Sequence, residues 1–262
     1  MLQTSRYALV TCVTGLALLI SALPAHATRP FTETESAVAL SPGSTKVEIG
    51  LAHEEWGRGD NVYALKGEFS YSLYANLDLE LEVPYEVSGG SAPFADGIGD
   101  TWAKAKINFV KERAANPLTL SGLLGVRFPT GDGATGTDEV DVSLVALASK
   151  PFAGVTAHAN LSYIFVGDDG ALDLDDVFGI AVGLEFDTGY RNIRGVGELV
   201  WEQSRQNTGE RIELLGGAVY PLSESMQLDA AARLGLESGA PPNDAGPDLG
   251  ITVGLSFLLP PN

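Results

Sequence analysis

The sequence predicts an all-β protein, a transmembrane antiparallel up-and-down β-barrel of about 12 strands with short periplasmic turns and longer external loops. Three observations carry this prediction. The chain opens with an export signal, its apolar and polar residues alternate with period two almost throughout, and the links between the alternating stretches are short and long in turn. Strands of membrane-spanning length joined by such asymmetric links are typical of outer-membrane barrels.

Composition and charge narrow the class of protein further. The 262 residues are 45% hydrophobic and 19% charged, which excludes a disordered chain, and the formal net charge is −18. Because so acidic a chain repels phosphate, we expect no nucleic-acid partner. The length suits one large β domain with a sizeable enclosed interior.

Residues 1–27 are predicted to be a cleavable signal peptide. Arg6 supplies the positive start, an apolar stretch runs from Tyr7 to Ile20, and cleavage after Ala27 follows the small-x-small pattern of signal peptidase sites. The alternative is a transmembrane anchor, but the apolar run is short for the ~20 residues that a spanning helix needs. Cleavage removes Cys12, the sole cysteine of the sequence, so we expect no disulfide in the mature chain.

The period-two alternation predicts strands one after another. Tyr63, Leu65, Phe69 and Tyr71 share one face of such a stretch, whereas a helix would scatter them around its circumference. We find no convincing helix after the signal peptide. The predicted strands are TKVEIGLA, YALKGEFSYSLY, NLDLELEV, AKAKINF, LTLSGLLGVRF, VDVSLVALA, VTAHANLSYIF, FGIAVGLEF, IRGVGELVW, IELLGGAVY, MQLDAAARLGL and LGITVGLSF.

The links between these strands separate a membrane barrel from a soluble sandwich. Short links such as YAN, KPFAG and PLSES alternate with long ones such as SGGSAPFADGIG, PTGDGATGTDE and ESGAPPNDAGPD, and the first link, GRGDN, is indecisive. A Greek-key sandwich has no reason to alternate in this way, while closure into a barrel also removes exposed strand edges. We therefore expect residues 44–259 to form the barrel, preceded by an N-terminal periplasmic segment, residues 28–43.

Several short motifs resemble an outer-membrane family named for the meta-pathway of phenol degradation. They are the start Arg29-Pro30-Phe31-Thr32, the run Gly97-Ile98-Gly99-Asp100 and the run Phe128-Pro129-Thr130-Gly131-Asp132. The resemblance spans nearly the whole mature chain. It implies an outer-membrane channel or transporter associated with the uptake of aromatic or apolar compounds.

If the apolar faces meet lipid, the charged faces point into the lumen. Folding the third strand onto the fourth pairs Asp78 with Lys106 and Glu80 with Lys104. Glu68 then lies close to Glu82, and such a like-charge pair favours a cation or a basic group nearby. The predicted lumen-lining residues are Lys66, Glu68, Asp78, Glu80, Glu82, Lys104, Lys106, Arg127, Asp141, His158, Glu198 and Arg233.

The lumen suggests passive passage of small molecules, with a weak preference for cationic or neutral solutes. One alternative is a closed barrel, braced by ion pairs, that serves as a structural or surface scaffold. Residues 28–43 are too few for the large plug of an energised receptor. They can enter the lumen as a small gate, with Phe31 as the stopper, or remain a disordered periplasmic tail.

We expect no catalytic site, no cofactor and no metal site, and outer-membrane lipid and lipopolysaccharide as partners. The second alternative is a hydrolase embedded in the barrel, in which Ser143, Asp141 and His158 form a triad across the short KPFAG turn. The acidic loop GDDGALDLDD can hold Ca²⁺ through its carboxylates. A solvated external loop, bridged to lipopolysaccharide by divalent ions, is the favoured interpretation.

Overall fold

The structure is a computed structural model that describes residues 30–56, 59–90, 95–113, 117–131, 135–167, 176–204, 210–238 and 247–261. The predicted signal peptide, Arg29 and Asp132 of the family motifs, and residues 168–175 of the acidic loop lie outside the described residues. Among the residues described, no helix has the length and apolar character needed to span a membrane.

Thirteen strands in the described part of the chain form one antiparallel sheet. They are β1 (Thr45–Trp56), β2 (Asp60–Tyr74), β3 (Leu77–Gly89), β4 (Ala95–Ile98), β5 (Thr101–Val110), β6 (Thr119–Phe128), β7 (Asp141–Phe152), β8 (Val155–Phe165), β9 (Val177–Asp187), β10 (Arg194–Ser204), β11 (Glu210–Ser223), β12 (Met226–Ser238) and β13 (Leu249–Leu259).

The sheet closes on itself because β1 pairs with both β2 and β13, and β2 pairs with β3. Strand β3 has two neighbours along this edge. Its residues Tyr85–Ser88 pair with β4, and its residues Leu77–Glu82 pair with β5. Twelve strands therefore build the wall, as the sequence predicts. Residues ADGI, assigned to a loop from the sequence, instead form β4. The first external link, residues 57–59, is short.

The barrel exposes apolar side chains on its outer face and buries charged side chains on its inner face, which is the reverse of a soluble protein. Ile49 and Leu161 on the outer face are 46% and 48% exposed, whereas Asp78 and Glu198 on the inner face are 0% and 2% exposed. A continuous apolar outer surface is stable only against an apolar solvent, and lipid supplies one. The structure is thus a transmembrane barrel with a polar interior.

The predicted register across β3 and β5 is confirmed. Asp78 pairs with Lys106, and Glu80 pairs with Lys104. Glu68 and Glu82 also lie directly opposite each other. The basic group predicted beside them is Lys104, whose Nζ lies 2.9 Å from a Glu82 carboxylate oxygen and 3.7 Å from a Glu68 carboxylate oxygen.

Two of the family motifs meet at the external end of the barrel. The carboxylate of Asp100 accepts hydrogen bonds from the backbone N–H of Gly131 at 3.0 Å and from the backbone N–H and hydroxyl of Thr137 at 2.9 and 2.7 Å. The link between β6 and β7 is thereby folded back over the β4–β5 junction. A Cβ on Gly131 would lie 2.5 Å from the Cα of Gly136, so this close approach requires glycine.

Ionisation of Asp100 is coupled to this loop. Burial alone would raise its pKa, but the hydrogen bonds from Thr137 and Gly131, together with the Arg127 guanidinium at 3.9 Å, lower the pKa below the ordinary value. The loop contact is therefore present above the ordinary carboxyl pKa of about 3.9 and is lost as pH falls through and below it.

Leu161→Arg tests the lipid-facing assignment. Leu161 lies midway along β8 on the outer face, where a charge facing hydrocarbon costs about 2–4 kcal/mol. We expect the free energy of unfolding, measured by denaturant titration in lipid vesicles, to fall by that amount. The matched control is Phe165→Arg at the strand end, which costs at most about 1 kcal/mol. Equal, small effects at both positions would contradict the assignment.

Asp100→Asn tests the loop contact. The amide keeps the shape but loses the charge, and each charge-assisted hydrogen bond contributes about 1.5–3 kcal/mol. Hydrogen exchange at the Gly131 and Thr137 amides should therefore become at least about tenfold faster. Asp96→Asn is the control, because Asp96 contacts the Tyr85 hydroxyl at 3.1 Å instead. In the unmodified chain, protection of both amides should fall below pH ~3.9. Unchanged exchange in Asp100→Asn would rule out the contact.

Candidate functional site

Residues 30–43, the lumenal segment, run inside the barrel in the half that carries the termini. The structure places the predicted N-terminal segment in the lumen, with Ala37 0% and Thr34 2% exposed. The lumenal segment contains no helix or strand, so its backbone groups have no hydrogen-bond ladder of their own. Inward-facing side chains of the wall supply those partners.

Glu198 holds the start of the lumenal segment. One carboxylate oxygen accepts the backbone N–H of Thr32 at 2.8 Å and its hydroxyl at 2.7 Å. The other accepts the backbone N–H groups of Glu33 and Thr34 at 3.0 and 2.6 Å. Alternation along β10 points this carboxylate inward, between Val196 and Val200. A single buried anion thus binds three consecutive backbone amides.

A second set of contacts fixes the middle of the lumenal segment at Ala37. Its N–H donates to the Ser149 hydroxyl oxygen at 2.8 Å. Its carbonyl oxygen accepts from Asn108 Nδ2 at 3.1 Å and from the Ser121 hydroxyl at 2.5 Å. Ala37 also packs against Leu123, which together with Leu147 forms a small buried apolar cluster on the wall.

The end of the lumenal segment is tied to β2 and β3. The Leu40 N–H donates to a carboxylate oxygen of Asp78 at 2.9 Å, and the Leu40 carbonyl accepts from the Ser72 hydroxyl at 3.2 Å. The Gly43 N–H donates to the Ser72 carbonyl at 2.8 Å. This end, which we call the root, leads directly into β1 at Thr45.

Two acidic side chains of the lumenal segment form ion pairs with the wall. Glu33 accepts from an Arg211 guanidinium nitrogen at 2.8 Å. Glu35 lies 3.6 Å from the Lys106 ammonium and 4.0 Å from the Lys104 ammonium. These bonds join the lumenal segment to opposite parts of the barrel, since Arg211 is on β11 and both lysines are on β5.

Phe31 occupies an apolar depression in the wall. Its ring packs against a buried cluster formed by Val196, Leu215, Val219 and Ala231, on β10, β11 and β12. Phe31, the residue predicted as a possible gate, therefore lies in the lumen and packs against the wall. The neighbouring inward positions include the charged residues Glu198, Glu213 and Asp229 as well as the apolar Val200 and Ala181.

The remaining predicted lumen-lining residues belong to an ion-paired inner wall. Arg127 pairs with Asp141, and the Arg233 guanidinium pairs with Glu54 and lies 3.6 Å from Glu213. Lys106 lies 3.0 Å from Glu80, and Lys66, half-exposed toward the external end, lies 3.8 Å from Glu82.

The predicted Ser143–His158–Asp141 triad is wrong. His158 pairs across the strands with Ser149, and Ser143 lies six residues farther along β7, about 20 Å away at the ~3.3 Å rise of a strand. Asp141 instead pairs with Arg127. Ser149 Oγ does lie 2.8 Å from His158 Nδ1, but it is 1% exposed and accepts the Ala37 N–H. A substrate cannot reach this hydroxyl while the lumenal segment is bound.

Three carboxylates, those of Glu35, Glu68 and Glu80, have oxygens within 4.8 Å of one another. Such a group can in principle hold a cation. Here the ammonium groups of Lys104 and Lys106 already lie beside these carboxylates and supply the compensating charge. The arrangement is therefore better described as an electrostatic contact between the lumenal segment and the wall.

Sequence reasoning missed the neutral residues that bind the lumenal segment, namely Ser72, Asn108, Ser121, Ser149 and Asn160. Alternation placed each of them on an inward face, but a serine or asparagine facing a wet lumen needs no special partner. Their position near the end of the barrel that carries the termini was the available signal. The charged anchors Asp78 and Glu198 were predicted to line the lumen, without their role in holding the lumenal segment.

The fold is shared with solved outer-membrane proteins. The COG4313 outer membrane channel from Pseudomonas putida F1 is 14% identical, with 87% of this chain and 100% of that chain covered and a TM-score of 0.69. The KdgM porin is 8% identical (80% and 98% covered, TM-score 0.55), and the CymD monoaromatic hydrocarbon channel is 10% identical (84% and 89% covered, TM-score 0.50). At these identities the likeness concerns the fold alone.

No curated protein matches the sequence significantly. A family model does match, over residues 28–261, which is nearly the whole chain after the predicted signal peptide. That span includes both the lumenal segment and every strand of the barrel, in agreement with the motifs at Pro30–Thr32, Gly97–Asp100 and Phe128–Gly131. The chain therefore belongs to the family described as "Putative MetA-pathway of phenol degradation".

Proposed function

We propose that this protein is a passive outer-membrane channel for small apolar or aromatic molecules, and that the lumenal segment closes it until the segment moves aside. The observation that carries the proposal is the binding of residues 30–43 across the lumen by hydrogen bonds, ion pairs and side-chain packing. These contacts are separate and local, so the lumenal segment can leave while the strand ladders of the wall stay intact.

The geometry of the anchors supports a moving element rather than a permanent core. The contacts at Glu198, at Ser149 and at Asp78 are separate, so they can break one after another from the free end toward the root. Water entering the lumen can replace the hydrogen bonds that the wall loses. The wall itself keeps its internal ion pairs, such as that between Arg127 and Asp141, with or without the lumenal segment.

Two apolar clusters on the inner wall support an apolar solute. One lies under Phe31 and the other under Ala37. When the lumenal segment leaves, these clusters are exposed to water. Binding of an apolar molecule that covers them is then favourable, because it removes apolar surface from water. The family description refers to phenol degradation, and one protein of similar fold is a monoaromatic hydrocarbon channel.

Export and placement complete the proposal. Residues 1–27 act as a signal peptide that is removed, and the mature chain inserts into the outer membrane with both termini on the periplasmic side. Its outer face contacts lipid, and the long external loops contact lipopolysaccharide. Solute then moves down its concentration gradient, and the protein performs no chemical step.

Glu198→Gln tests the proposal. In the amide, one of the two acceptor oxygens becomes an NH₂ group, which faces the donors either of Thr32 or of Glu33 and Thr34. Those hydrogen bonds are lost, and the others lose the charge assistance that makes each contribute about 1.5–3 kcal/mol. We expect the open probability in planar bilayers to rise at least about tenfold. Uptake of radiolabelled toluene by cells with intact lipopolysaccharide should rise in the same direction.

The matched control is Glu54→Gln, which removes an inward-facing carboxylate from β1. Glu54 pairs with Arg233 on β12 and makes no hydrogen bond or ion pair to the lumenal segment in the described residues. It should leave gating near the unmodified level. If Glu198→Gln conducts no better than the control, and toluene uptake matches cells without the protein, the closed-scaffold alternative is the better account.

A further inference from the structure

Phe31 lies in a depression shaped for an aromatic ring. A Cβ on Gly183 would lie 2.7 Å from Cγ2 of Thr34 and 3.2 Å from ring atoms Cε1 and Cζ of Phe31, so the absence of a side chain there makes room for both the Thr34 methyl group and the ring. The His158 ring meets Phe31 edge-on, with centroids 6.0 Å apart and planes at 63°. Edge-to-face contacts of this kind favour an aromatic partner over an aliphatic one of equal size.

The other walls of the depression are apolar and deeply buried. Val196, Leu215 and Val219 are 4%, 3% and 2% exposed, and Ala231 completes the cluster. All of these residues, with Gly183 and His158, are on strands β8 to β12 and not on the lumenal segment. The depression therefore persists as part of the rigid wall when Phe31 leaves it.

We infer that this depression, which we call the ring subsite, binds the ring of a neutral monoaromatic solute in the place that Phe31 occupies in the closed protein. The inference rests on the proposed function, because the ring subsite is open to solute when the lumenal segment has moved. Solute and Phe31 then compete for one surface. Bound solute prevents Phe31 from returning and so keeps the channel open in proportion to solute concentration.

Neutral solutes fit this site better than ionised ones. The four residues of the cluster carry no charge, and the nearby Arg194 guanidinium is already bound to Glu185 and Gln227. Glu198, once released from Thr32 and Thr34, faces the lumen nearby with its negative charge. An anionic ring would be repelled there. Within the described residues, the ring subsite is also the place where an aromatic side chain of the lumenal segment itself meets the wall.

Competition between the solute and Phe31 is tested by measuring the binding of a small aromatic molecule to the full mature chain in lipid nanodiscs. The probe is fluorobenzene, followed by ¹⁹F NMR, with empty nanodiscs correcting for partition into lipid. Phe31→Ala removes the competing ring, so we expect affinity at least about tenfold higher than in the unmodified protein. Binding that is equal in the two proteins would overturn the inference.

Gly183→Ala tests the site from the wall. In the Phe31→Ala, Thr34→Ala background, where the added methyl group no longer meets Cγ2 of Thr34, it fills the floor of the ring subsite and should weaken fluorobenzene binding at least about fivefold. Gly216→Ala is the matched control, because a Cβ at that outward position has nothing within 4 Å. Heat-modifiable gel migration establishes that each variant is folded. Undiminished binding in folded Gly183→Ala would overturn the inference.

Failure of this inference is distinct from failure of the proposed function. If Glu198→Gln conducts and raises toluene uptake while Phe31→Ala and Gly183→Ala leave fluorobenzene affinity unchanged, the channel function stands and the ring subsite is refuted. If fluorobenzene binding follows Phe31 and Gly183 as expected while Glu198→Gln neither conducts nor raises uptake, the ring subsite stands and the channel function is refuted.

Discussion

A buried backbone polar group must be hydrogen-bonded, and that constraint determines both halves of this structure. In the wall, the constraint is met by closing the sheet, since the β2–β3 and β1–β13 pairings join the twelve long strands of the described residues into a ring. In the lumen, residues 30–43 have no ladder of their own, so their amides and carbonyls bind inward side chains of the wall. The contacts of the wall form a continuous ladder, whereas the lumenal contacts are separate and local.

The wall and the lumenal segment differ in what their removal would expose. Removing a wall strand would expose many backbone groups to hydrocarbon at once. Withdrawing the lumenal segment exposes a handful of side chains, led by Glu198 and Asp78, to a space that water can enter. A carboxylate that loses its amide donors can accept hydrogen bonds from water instead, so it is not left without a partner. A tightly closed lumen and a mobile closing element are therefore compatible in one chain.

Much of the wall could be predicted from the sequence because strand periodicity is a local property. Leu161 and Glu198 fall on opposite faces by counting alone, and folding about one loop was enough to pair Asp78 with Lys106. Prediction failed where local pattern carries no distance information. Ser143 and His158 both face inward, yet the tight turn at residues 153–154 aligns His158 with Ser149. Strand β4 was missed because its four residues are too few to alternate visibly.

The candidate site was harder to predict than the wall. Residues such as Asn108 and Ser149 look like ordinary lumenal residues until the position of Ala37 is known, and nothing in a strand pattern gives the path of an irregular segment. Phe31 could be singled out as the bulky apolar residue of that segment. The depression that receives it could not, because Gly183 and Val219 come from strands whose separation along the chain hides their contact.

The central claim, that departure of the lumenal segment opens the barrel, is tested most directly by locking the segment in place. Ala37 and Ser149 are in contact, and the mature chain is expected to hold no native cysteine, so Ala37→Cys with Ser149→Cys can form one disulfide between segment and wall. Channel openings and toluene uptake are then compared before and after reduction, with each single variant as control. The account predicts that both readouts are abolished in the oxidised double variant and restored by reductant. Equal conductance and uptake in the two redox states, with the disulfide verified, would contradict it.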